Sequence, residues 1–165
     1  MTTNLYKVLA TKAGAIAVLL STTLGAMAYD INSTSAVNVD ANGVILRSVD
    51  ATSYLADGTP KAGSADFSAE SGGATYLFAS AEARDAFLAA PETYEPAFGG
   101  FCATGAALGK KLDGDPAIFR IFEGKLYLFV SDEAAALWDK DPAGTLANAN
   151  ANRPNISDKT PASLE

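Results

Sequence analysis

Apolar positions between residues 65 and 145 fall into two kinds of run. Short strand-like stretches at 65–70 and 74–79 are divided by Gly72-Gly73, and those at 118–122 and 125–130 by Glu123-Gly124. Glycine at these points supplies the positive φ that a two-residue hairpin loop requires. After each pair the apolar residues recur at helical spacing: Ala83, Ala86, Phe87 and Ala90, then Ala134, Leu137 and Trp138. Ser80 and Ser131 stand where an N-cap is wanted. Glu82 and Glu133 follow close behind, at the positive end of each helix dipole, and Pro91 and Pro142 end the helices. The pattern predicts strand, turn, strand and helix, twice over.

The two copies are related by a constant offset. Gly73, Tyr76, Leu77, Phe78, Ser80, Glu82, Ala83 and Pro91 recur 51 residues later as Gly124, Tyr127, Leu128, Phe129, Ser131, Glu133, Ala134 and Pro142, and Phe87 answers to Trp138. A hairpin with one helix cannot bury enough apolar area to stand alone. The expected fold is therefore α+β: two β-hairpin-helix units, residues 65–94 and 116–145, packed as one small domain over 44–152 with a mostly antiparallel sheet. Residues 29–43 read as a polar lead, and 153–165, with Pro154 and Pro161, as a flexible tail.

The first 28 residues read as a signal peptide. Lys7 and Lys12 precede an apolar run from Ala13 to Leu20, and Ala26-Met27-Ala28 gives a small-x-small cleavage pattern that leaves Tyr29 first. The run is too short for a stable membrane span. Cleavage leaves 10 basic against 19 acidic side chains, net −9. The address this implies is an oxidising compartment, most simply a bacterial periplasm.

Composition removes whole classes of chemistry. The 165 residues include no histidine and one cysteine, so a Ser/His/Asp triad, a Cys/His dyad, a histidine-held haem and a histidine-based zinc site are impossible. No intramolecular disulfide can form. The acidic balance argues against nucleic acid, whose phosphates need a basic footprint. Gly99 to Gly109 with Lys110-Lys111 invites a phosphate-loop reading that fails on spacing, with Leu112 where a magnesium-holding hydroxyl belongs. Asp113 and Asp115 around Gly114 lack calcium-loop spacing, and Asp139, Lys140 and Asp141 read as surface charge.

Cys102 is the sharpest single residue. A thiolate beside glycines can approach a ligand closely, whereas free cysteine is also among the most buried residue types. Without histidine or a retained methionine, a metal at Cys102 would be Cu(I), shared between two Cys102 thiolates across a homodimer or held by one thiolate with carboxylates.

The segments 73–80, 84–87, 91–96 (Pro-Glu-Thr-Tyr-Glu-Pro), 99–103 (Gly-Gly-Phe-Cys-Ala), 107–116 and 124–128 together resemble the YHS-domain proteins, and more closely their exported bacterial subfamily. The likeness covers most of the chain after the leader. It implies a small α/β module, related in other members to metal sensing and copper handling. Asp50 and Tyr54 match the family's segment at that point, although the family reads Gly-Tyr-Asp-Pro-Val-Ala-Tyr-Phe where this chain has Ser48 to Leu55. The Tyr-His-Ser signature itself has no histidine to fill it.

The resemblance makes Asp50, Tyr54 and Tyr94 candidates to converge with Cys102 on one polar ligand pocket; the local alternative is a turn acceptor and core tyrosines. The expected function is a periplasmic YHS-like binding module for a small ligand or a metal ion, with copper the first to try. The competing expectation is an interaction or structural protein of the envelope whose family site has decayed. A thiol-dependent enzyme comes third, because Cys102 has no imidazole to activate it. No residue is assigned a catalytic role.

Overall fold

The computed structural model describes residues 29–164, so the leader expected at 1–28 lies outside the described residues. Strands β1 (Ser64–Ser71) and β2 (Ala74–Phe78) form one antiparallel hairpin, and β3 (Asp115–Phe122) and β4 (Lys125–Phe129) form another. The two ladders stay separate, as two two-stranded sheets. Their registers are the same at the 51-residue offset. Ser68 pairs with Leu77 and Phe119 with Leu128, and both β1 and β3 then bulge before Ser64 meets Phe78 and Asp115 meets Phe129. Both turns place their two central residues at positive φ, Gly72-Gly73 at 58° and 85°, Glu123-Gly124 at 51° and 74°.

Each hairpin feeds a nine-residue helix, α2 (Ala81–Ala89) or α5 (Asp132–Lys140). Ser80 Oγ accepts from the Ala83 N–H at 3.2 Å and Ser131 Oγ from the Ala134 N–H at 3.3 Å, so both expected caps form. The prolines stop these helices and also open new ones, α3 (Pro91–Tyr94) and α6 (Pro142–Ile156). At a first helical position the missing N–H of proline costs nothing.

The repeat reaches further upstream than sequence identity does. Left-handed turns at Leu46–Ser48 and Ala97–Gly100, with Arg47 and Phe98 at φ 49° and 54°, precede the short helices α1 (Ser53–Asp57) and α4 (Ala103–Ala107). Asp50 N–H donates to Lys61 O at 2.8 Å, and Cys102 N–H to Leu112 O at 2.9 Å. Gly63 and Gly114 then sit so close to Leu77 and Leu128 that a Cβ would stand 2.5 Å and 2.8 Å from their atoms. Upstream the offset is 52, so that Leu46–Ser48 matches Phe98–Gly100 and Ala51-Thr52 answers to Ala103-Thr104; it returns to 51 at Lys61 and Leu112 because the first copy has one residue more between Asp50 and Lys61.

The core has two lobes joined through β4. Tyr76 and Phe78 pack on Phe87 with ring centroids 4.5 and 5.0 Å apart; in the second copy Tyr127 and Phe129 lie 4.7 and 5.6 Å from Trp138. The opposite face of β4, Leu126 and Leu128, completes the first lobe alongside Ile45, Leu46 and Tyr54. β4 is therefore buried on both faces.

Residues 153–164 are not the loose tail the sequence suggested. Arg153 to Ile156 form the last turn of α6, Ile156 and Pro161 are buried, and Pro161–Leu164 is a short 3-10 turn. The cause is Lys111, only 3% exposed, whose Nζ donates to the carbonyls of Ser35 (2.6 Å), Ser157 (3.3 Å) and Lys159 (2.8 Å). A three-donor ammonium thereby fastens the polar lead and the C-terminal segment to one point. Tyr29 OH donates to the Lys111 carbonyl at 2.6 Å, and Ala162 N–H to Ile31 O at 2.9 Å.

Candidate functional site

Cys102 is the N-cap of α4 and has no exposed surface. Its Sγ accepts from the Gly105 N–H at 3.3 Å, and the backbone N–H groups of Val130 and Thr104 also favour its charged form. Burial pushes the thiol pKa up, and those three donors oppose the rise only in part. The side chain sits in the second lobe among Ala103, Ala106, Phe129 and Trp138. It is a neutral capping thiol, not an activated one.

Asp50 occupies the same place in the first copy. Its Oδ1 accepts from Thr52 N–H and Thr52 Oγ1–H, both at 2.8 Å, and its Oδ2 from Ala79 N–H at 2.9 Å. Thr52 corresponds to Thr104 and Ala79 to Val130, the backbone groups that bear on Cys102, so the same stretch of backbone surrounds both side chains. That cradle holds a carboxylate in the first half and a sulfur in the second. All three donors to Asp50 belong to the fold, which is why a residue only 2% exposed can remain polar.

Tyr54 spends its hydroxyl in the same way. Its OH donates to Pro116 O at 2.9 Å, joining the two halves, and its ring meets Phe119 edge-on at 4.8 Å. Burial drives its pKa far above the ordinary tyrosine value. Tyr94 ends α3, half-buried, with its ring 6.5 Å from Phe87. The four candidates therefore do not meet. Cys102 lies in one lobe, Tyr54 in the other, and only Asp50 and Tyr94 border a common space.

The donor set does not suit copper at Cys102. No group of three or more Cys, Asp and Glu side chains stands ready to hold a metal ion among the described residues. A thiolate bridge between two chains would also require a sulfur that is sealed by its own lobe to reach a surface. The lone sulfur already accepts the Gly105 N–H.

The space shared by Asp50 and Tyr94 is a groove of about 470 Å³. α1 supplies Leu55, Ala56 and Asp57, the start of α2 supplies Glu82, Ala83 and Ala86, and the end of α3 supplies Thr93 and Tyr94. Its walls are small and mostly apolar, and its charges are exposed. Asp57 pairs with Lys61 at 2.6 Å, while Glu82 is held below the usual carboxylate pKa by its own N–H and the Ser80 hydroxyl. The groove exists because α3 stops after four residues, where Glu95 takes the extended backbone that a following proline favours. In the second half α6 runs on for 15 residues along α4. Sequence reasoning passed over this groove. The readable hint was Pro96, five residues after Pro91, against a proline-free run from Ala143 to Arg153.

No family model matches the chain, and no curated protein or solved structure matches it significantly. No helix of the described residues is long and apolar enough to cross a membrane.

Proposed function

We propose that the protein is an exported, periplasmic YHS-like interaction module that works through the groove over α1 and carries no metal at Cys102. The leader pattern and the family resemblance support the address and the kinship. The observation that carries the functional reading is the paired position: Asp50 and Cys102 stand at equivalent places in the two halves and each accepts hydrogen bonds from backbone N–H of its own fold, so the sulfur is accounted for without a ligand. Thiol, carboxylate and Tyr54 phenol are all committed to the fold, and the groove beside Asp50 offers a partner an open, mostly apolar surface.

Copper separates this reading from the metal one. Purified protein and its Cys102→Ser variant are titrated anaerobically with Cu(I) and with Zn(II), and bound metal is counted. The module reading expects no thiol-dependent stoichiometric binding by either. One Cu(I) per chain, or per pair of chains, that disappears in Cys102→Ser would overturn it.

A further inference from the structure

We infer that the groove is the seat of an α-helix from another protein, a short alanine-rich segment carrying lysine or arginine, laid along α1 as α6 lies along α4. This deepens the groove reading above and rests on it. The molecule holds its own template for such a complex. In the second half α6 closes over α4, with Ala149 fully buried and Asn152 Nδ2 donating to the carbonyls of Ala106 and Ala107 at 3.1 and 2.9 Å. Among the described residues no helix runs along α1 in that way. α3, the counterpart of α6, ends at Tyr94, and the open volume begins there.

Two features select the occupant. Ala56, Ala83 and Ala86 make a shallow wall that lets a helix backbone come close only if its own facing side chains are small, as at Ala149 in α6. The charges at the mouth select its sign. Asp57 and Lys61 balance each other in a 2.6 Å pair, which leaves Glu82 as the unmatched exposed charge at the mouth, in a chain of net charge −7. A cationic helix complements that rim and an anionic one is repelled.

The test uses amide-shift mapping of the full protein with three probes: a helical 15-residue alanine-lysine peptide, its alanine-glutamate counterpart, and N-acetyl-lysinamide, the same cation without a helix. The expected result is that the alanine-lysine peptide alone binds, moving the amides of Leu55 to Asp57 and Ala83 to Ala86. Its affinity then falls about tenfold or more in Ala56→Trp, which fills the groove from an exposed position, and in Glu82→Lys, which reverses the rim. Binding of N-acetyl-lysinamide without the peptide, or equal peptide binding by the parent and both variants, overturns the helix inference and leaves the groove reading standing. Silence toward all three probes overturns both.

Discussion

Replacing Asp50 by alanine tests the cradle where it holds most. The carboxylate is 2% exposed and receives two backbone N–H groups and one hydroxyl, at 2.8 to 2.9 Å. Deleting it leaves Thr52 N–H and Ala79 N–H without partners, at about 1–3 kcal/mol each, while the Thr52 hydroxyl can turn elsewhere. Water entering from the groove beside Asp50 recovers part of this, so the expected loss is about 2–4 kcal/mol. Asp50→Asn keeps one acceptor and costs about 1 kcal/mol. At the matching position Cys102→Ala removes a small side chain and weak sulfur acceptance, for about 1–2 kcal/mol. Urea unfolding of the three variants measures the differences, provided the slope is unchanged. Asp50→Ala unfolding at the parent's midpoint, or no earlier than Cys102→Ala, would refute the cradle argument.

Acid should weaken the fold in a defined window. Glu82 and Glu133, through their own N–H groups and the serine caps, and Asp139, through Arg120 at 2.7 Å, all titrate below their ordinary values when folded. The unfolded chain binds more protons there, so the urea midpoint falls as pH drops below about 4.5, and a flat profile to pH 3 would contradict this. At the other end, Cys102 titrates above its ordinary value when folded, so its contribution is lost as pH rises past about 9 and is absent in Cys102→Ser. Lys111→Met removes the ammonium from three carbonyls and should speed amide exchange at 157–164 more than in β4; equal protection in parent and variant would show that the segment is held by something else. Gly63→Ala drives a Cβ to 2.5 Å from the Leu77 carbonyl and should cost about 2 kcal/mol or more, against about 1 kcal/mol for Gly124→Ala, which meets nothing within 4 Å but sits at φ 74°; the reverse order in urea would contradict the close approach.

Local signals were the legible ones. Both hairpins, both serine caps and both proline breaks follow from residue types whose preference is fixed by backbone geometry, such as glycine in a primed turn, and each appears where the pattern places it. What the sequence concealed was tertiary. The repeat runs upstream to the left-handed turns, yet one extra residue between Asp50 and Lys61 slips the register by one and hides the match of Ala51-Thr52 with Ala103-Thr104. Aspartate and cysteine are chemically unlike, so nothing along the chain announces that Asp50 and Cys102 stand at equivalent places before equivalent helices. Lys111 is half of a dilysine that along the chain suggests only a failed phosphate loop, and the convergence of three distant carbonyls makes it a clasp. The groove is a missing length of helix, and a missing length leaves no motif.

The claim beneath all of this is that the single sulfur belongs to the interior. Thiol labelling of the native protein with an aromatic disulfide reagent at neutral pH, beside the same reaction in strong denaturant, addresses it directly. The account predicts that Cys102 reacts at once when unfolded and, when folded, only as fast as the domain opens, with added urea accelerating it along the unfolding curve. Stoichiometric reaction of the folded protein within seconds, indifferent to stability, would contradict it and return the thiol to the list of working groups.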